Sequence, residues 1–210
     1  MLCLVTQRGL GPHPLPVLVE AAVAAGVDWV QVRERELEGA ALLAHAAELD
    51  AAARRGAAAR HDGRPVRVLV NRRLDVGLAL DAAGVHLGFD AVGVADARLL
   101  LGSARLVGVS AHAPAEVAAA AREGASYAFL APIFEPRSKP ATRRPVGLDA
   151  LAEACRLGLP VLAQGGVDCE RVPSLLDAGA AGVALTGEVQ LADDPASACA
   201  RLRRALDRAA

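Results

Sequence analysis

The sequence predicts an α/β protein, a single-domain (β/α)8 TIM barrel over residues 1–210. Two observations carry that expectation. One phrase recurs: a helical run, a glycine, then a short apolar strand, as in EAAVAAGVDWVQVR, LALDAAGVHLG, AAAREGASYAFLAPIF and LLDAGAAGVALTG. Eight strand candidates can also be counted, each followed by a stretch able to form a helix, which matches the compact end of the barrel range. Strands alternating with amphipathic helices call for a parallel sheet with helices packed outside. An open doubly wound sheet is the alternative, and no G-x-G-x-x-G follows the first strand.

The strand candidates in chain order are LCLVTQ, DWVQVR, VRVLVN, GVHL, RLVGVS, YAFLAP, PVLAQG and GVALTG. Each is short and rich in valine, leucine and alanine, as suits a strand buried on both faces. Gly26, Gly84, Gly124 and Gly179 stand where a helix C-cap needs a left-handed residue. No linker or low-complexity tract divides the chain. The longest irregular piece, FEPRSKPATRRPVG at 134–147, follows the sixth strand and is a candidate lid or binding loop.

Lysine plus arginine number 23 against 24 acids, so charge makes no case for nucleic acid or an anionic membrane as partner. Lys139 is the sole lysine, which reads as a genome that favours arginine codons. Cys3, Cys155, Cys169 and Cys199 are scattered, without CxxC or paired-histidine spacing. They read as small buried hydrophobes in a reducing compartment, not as a disulfide frame or zinc site. No signal segment opens the chain, and its apolar stretches carry charges too often to span a bilayer. The expectation is a soluble cytoplasmic protein.

Chemistry in a barrel collects at the C-terminal strand ends. Those positions hold Gln31 and Arg33, Asn71, His86, Ser110 and His112, Gln164-Gly165-Gly166, and Thr186-Gly187. Alternation in WVQVR turns Val30 and Val32 to the helices and Gln31 and Arg33 to the interior. An arginine there is costly unless it meets an anion; the plain alternative is a salt bridge to Glu34 or another acid. The glycines after strands seven and eight let backbone N–H groups turn to a shared phosphate, although glycine also serves tight turns. Lys139 is either a mobile cation for the same ligand or a solvated loop charge. Asn71 either adds a hydrogen bond or closes its own turn. His86, between Val85 and Leu87, reads as a satisfied core histidine. His112 in GVSAHAPAE is, on its own, as easily a helix-start residue as a catalyst.

Taken together, VQVRER, LVNRRLDVGLAL, AAGVHLG, GVSAHAPAEV, YAFLAPIFEPRSKP, PVLAQGGV and AGVALTG resemble the thiamine phosphate synthase/TenI superfamily along most of the chain. The resemblance implies the barrel and divides between two chemistries. Synthases join a pyrimidine pyrophosphate to a thiazole phosphate and need Mg²⁺, held by acids after strands three and four. Here the first acid has become Arg72 and the second aligns with Ala91, with Asp90 adjacent. The P-T-x-T-K loop of synthases reads Glu135-Pro136-Arg137-Ser138-Lys139.

These departures, with RER at 33–35, FE at 134–135 and the S-x-H of Ser110-Ala111-His112, resemble the TenI-type thiazole tautomerases. That branch implies an isomerase that aromatises a thiazole carboxylate phosphate by proton transfer, with no cofactor and no metal. His112 is then the acid/base, since an imidazole with pKa near ~6.5 can serve both duties at neutrality. Gln31 and Arg33 hold the carboxylate; Asn71, Ser110 and Lys139 are further substrate contacts. The backbone of Gly165, Gly166, Thr186 and Gly187 binds the phosphate. The alternatives are an Mg²⁺-dependent synthase with a relocated ligand at Asp90, and a non-catalytic thiazole phosphate-binding regulator. The expected partner is a small thiazole phosphate; a homodimer is left open.

Overall fold

The computed structural model describes residues 1–60, 62–135 and 143–208. Its parallel strands close in chain order into one barrel: β1 (Leu2–Val5), β2 (Trp29–Val32), β3 (Arg67–Asn71), β4 (Gly84–Leu87), β5 (Leu106–Ala111), β6 (Tyr127–Leu130), β7 (Val161–Gln164) and β8 (Gly182–Leu185). The ring closes where β1 pairs with both β2 and β8. Around it lie α1 (Leu15–Ala24), α2 (Gly39–Ala58), α3 (Leu74–Ala79), α4 (Val94–Leu101), α5 (Pro114–Arg122), α6 (Gly147–Cys155), α7 (Val172–Asp177), the short α8 (Gly187–Gln190) and α9 (Pro195–Arg208). Every strand candidate read from the sequence is present.

The period of two along each strand divides the core in two. Val30, Val32, Val68, Val70, Val183 and Leu185 pack outward with the helices in one apolar cluster. Cys3, Trp29, Leu69, Tyr127, Phe129 and Leu162 fill the barrel itself. Tyr127 is fully buried, and the reason it fits is Gly108 across the β5–β6 pair. A Cβ at Gly108 would stand 2.0 Å from Tyr127 Cζ, so only glycine leaves room for that ring. Trp29 meets it edge-on at 4.9 Å between centroids.

The helices start for identifiable reasons. Pro114 opens α5, where a missing N–H costs nothing. Asp194 caps α9, taking the Ser197 N–H at 3.0 Å and the Ser197 hydroxyl at 2.6 Å. Gly26, Gly124 and Gly179 do adopt positive φ. Gly84 does not cap a helix. The left-handed residue after α3 is Asp81, with φ 54°, and Gly84 lies inside β4. Its role is close approach, because a Cβ there would come within 2.1 Å of the Leu106 carbonyl oxygen.

Of the loop expected over 134–147, residues 136–142 lie outside the described residues, Lys139 among them. Its described ends run to Glu135 and from Arg143 to the start of α6 at Gly147. Among the described residues no helix is long and apolar enough to cross a membrane.

Candidate active site

A cavity of about 1190 Å³ opens at the C-terminal ends of the strands. Gln31, Arg33, Asn71, Ser110, His112, Gly165, Gly166, Thr186 and Gly187 all line it. The structure therefore brings together every predicted site residue except Lys139, which is not described.

Gln31 and Arg33 come from β2 and the residue just beyond it. Gln31 is 2% exposed, and its Nε2 has no hydrogen-bond partner among the described residues, a costly state for a buried donor. Arg33 makes no ion pair with Glu34. The Glu34 carboxylate accepts from the Thr6 hydroxyl at 2.5 Å and from the Arg8 N–H at 2.8 Å, while the Arg33 N–H donates to Thr6 Oγ1 at 3.1 Å. The Arg33 guanidinium is thus left to the cavity, with its pKa lowered first by burial and next by the charge of Arg35.

The β3 and β4 ends meet at Arg72. Its backbone is left-handed, with φ 67°, and its N–H donates to the His86 carbonyl at 2.9 Å. Its guanidinium pairs with Asp90 at 2.8 Å. Asn71 precedes it on the cavity wall.

The floor is a neutral polar cluster. His86 Nδ1 lies 3.1 Å from the Tyr127 hydroxyl and Nε2 lies 2.9 Å from Ser110 Oγ. Burial, and then the charge of Arg33, push the His86 pKa down to about 3. A satisfied core histidine is what the sequence indicated; it borders the cavity itself and is joined there to Ser110.

His112 begins the turn into α5, its N–H held by Glu116 at 2.8 Å. Its Nδ1 is 2.5 Å from the Ala131 carbonyl oxygen. A carbonyl only accepts, so Nδ1 carries the hydrogen and Nε2 is the acceptor in the neutral ring. The ring stacks on Phe89 at 4.5 Å.

Across the barrel, Gly165 and Gly166 have φ 91° and 63°. Added Cβ atoms would lie 2.7 Å from Pro132 Cβ and 2.4 Å from the Glu135 carbonyl oxygen, so the β6 loop packs directly onto this one. Thr186 precedes α8, whose first N–H groups lack intrahelical acceptors by geometry. Sequence reasoning missed Arg35, Arg143 and Phe89 as cavity residues, and read Arg72 as a lost acid instead of a cation present. The arginine-rich spelling of RER and NRR was the available signal.

Fold and site are those of a (β/α)8-barrel enzyme, with the working end at the C-terminal edges of the strands. Residues 2–189 match the family model described as thiamine monophosphate synthase, and the chain belongs to that family. A Chloroflexus aurantiacus protein named thiamine-phosphate synthase is 38% identical, over 96% of this chain and 90% of its own length. A Roseiflexus castenholzii protein of the same name is 36% identical, over 91% and 81%. The solved thiamine phosphate pyrophosphorylase from Pyrococcus furiosus superposes with TM-score 0.85 at 25% identity, covering 99% of this chain and 96% of that one.

These relatives overturn the expectation of a thiazole tautomerase. Likeness to proteins named as synthases extends over almost the whole chain, whereas the tautomerase reading rested on two replaced acids and a few short loop motifs.

Proposed function

We propose that the chain is a transferase, a thiamine-phosphate synthase that joins a pyrimidine pyrophosphate to a thiazole phosphate. One observation carries this reading: a single cavity has two anion-receptive faces. Arg33, Arg35 and Arg72 form one, at β2 and β3; the glycine loops after β7 and β8 form the other. The first face carries three guanidinium groups, more positive charge than a lone carboxylate calls for and a match for a pyrophosphate ester. Pockets for one small ligand run to roughly 300–1,000 Å³, so about 1190 Å³ suits two.

In this reading the thiazole phosphate sits on the glycine loops, and the pyrophosphate ester sits against the arginines with Gln31 as a donor. A carbon–nitrogen bond forms between the rings as the carbon–oxygen bond to pyrophosphate breaks. The charge leaving with pyrophosphate then develops beside guanidinium groups, which stabilise it as it grows. His112, Ser110 and Asn71 are positioned to hold the rings between the two faces.

Magnesium is the cofactor the resemblance implies, and it demands several oxygen ligands in near-octahedral array. Among the described residues no group of three His, Cys, Asp or Glu side chains is placed to hold a metal. Asp90, the carboxylate beside the expected position, is engaged by Arg72. The donor set does not fit Mg²⁺, and no step is routed through it. The four cysteines are free thiols, which supports the cytoplasm as the place of action.

The test is incubation with both heterocyclic substrates and chromatographic detection of thiamine phosphate and pyrophosphate. Product above background supports the transferase; none, with or without added divalent ions, rejects it.

A further inference from the structure

The misfit to magnesium has a positive side, because the same mouth carries excess cationic charge. Arg33 and Arg35 have no carboxylate partner among the described residues. Arg143 lies over the Phe89 ring, 5.8 Å from its centroid. Arg72 does have a close acid, and that acid, Asp90, is 64% exposed on its side chain. A pair so open to water is weakly held and exchanges readily for a better anion. Arg72 is also fixed at its root, by the His86 carbonyl and by Gly88. A Cβ at Gly88 would lie 3.6 Å from Arg72 Cγ and 3.3 Å from Asp90 Oδ1. Guanidinium forks meet phosphate oxygens bidentately, which a lone ammonium cannot do.

We infer that this mouth holds a diphosphate on guanidinium donors, with Arg72 leaving Asp90 to pair with the ligand, and that no divalent cation takes part in that binding. The choice of diphosphate over another polyanion rests on the transferase reading. Arg72 stands in for the metal: it supplies positive charge where the acids of a metal site would otherwise gather it. Arg33, half-buried and unpaired, supplies the second fork, and Gln31 Nε2 a neutral donor below it.

The experiment is calorimetric titration of the whole protein with inorganic pyrophosphate, first in EDTA and then with excess Mg²⁺. Binding is expected in EDTA. Added Mg²⁺ should weaken it, because magnesium pyrophosphate forms in solution and removes the free ligand. Arg72→Gln should weaken binding about tenfold, as loss of one charge-assisted fork does. Asp90→Asn should tighten it several-fold, since the competing anion is gone; a merely structural ion pair would give no gain. Binding that requires Mg²⁺, or that is unchanged by both variants, overturns the inference. The transferase reading fails separately: pyrophosphate bound in EDTA without any thiamine phosphate formed rejects that reading and leaves the anion site standing. Coupling that proceeds only with Mg²⁺, with no pyrophosphate bound in EDTA, rejects the inference and keeps the transferase.

Discussion

His86 Nε2 and Ser110 Oγ lie 2.9 Å apart, joining a fully buried ring to the cavity floor. The ring is neutral in the fold, its pKa pushed down from 6.5 to about 3 by burial and by Arg33. An unfolded chain takes up this proton as pH falls through 6.5, and the native chain does not until about 3. The stability held by His86 is therefore complete above 6.5 and lost progressively below it. The expected loss from this group is about 2 kcal/mol by pH 5. Denaturant unfolding of the protein and of His86→Gln from pH 8 to 4.5 measures it as the difference between the two slopes. Parallel curves would remove His86 as the cause.

Arg33 should behave oppositely to a structural residue. Its cation is half-buried without an acid partner among the described residues, so Arg33→Gln is expected to leave the melting temperature unchanged or raise it. In the transferase reading the same change should raise KM for the pyrophosphate substrate about tenfold, from the lost charged fork. A lowered melting temperature with an unaltered KM would mean the guanidinium serves the fold.

For His112, two substitutions separate docking from substrate contact. Asparagine can reproduce the Nδ1–H donated to Ala131 but has nothing at the Nε2 position. Both His112→Ala and His112→Asn are expected to lower kcat/KM by about 10- to 100-fold, the loss of a buried hydrogen bond and ring contact to substrate. Only the alanine variant should also lose thermal stability. Full activity in the asparagine variant would assign His112 to loop docking alone.

Gly166 combines positive φ with a collision, whereas Gly158 has φ 80° and nothing within 4 Å of its added Cβ. Gly158→Ala therefore reports backbone strain alone, about 1 kcal/mol. Gly166→Ala adds displacement of the Glu135 carbonyl and should cost about 1–3 kcal/mol more. In the transferase reading it should also raise KM for thiazole phosphate. Equal costs in thermal unfolding would show that the β6 loop yields freely.

Much of this was legible in the chain because two periodicities left little choice. Alternation placed Gln31 and Arg33 at the cavity and the strand-end position placed Ser110 there, and the structure finds all three on its lining. The repeated helix–glycine–strand phrase gave the barrel. Gly84 shows the limit of such reading: its reason is the Leu106 backbone on the neighbouring strand, a contact no local window contains. The unpaired state of Arg33 depended likewise on Thr6 and Arg8 capturing Glu34 from another strand end. The choice of chemistry was misread because two missing acids report only on a metal, and the arginine in their place offers charge of its own.

The ring of Tyr127, seated in the space left by Gly108, has a consequence for how the chain can vary. A side chain at 108 and a phenol at 127 compete for one volume, so the two positions are free to change only together: a methyl group gained on β5 has to be matched by a ring lost on β6.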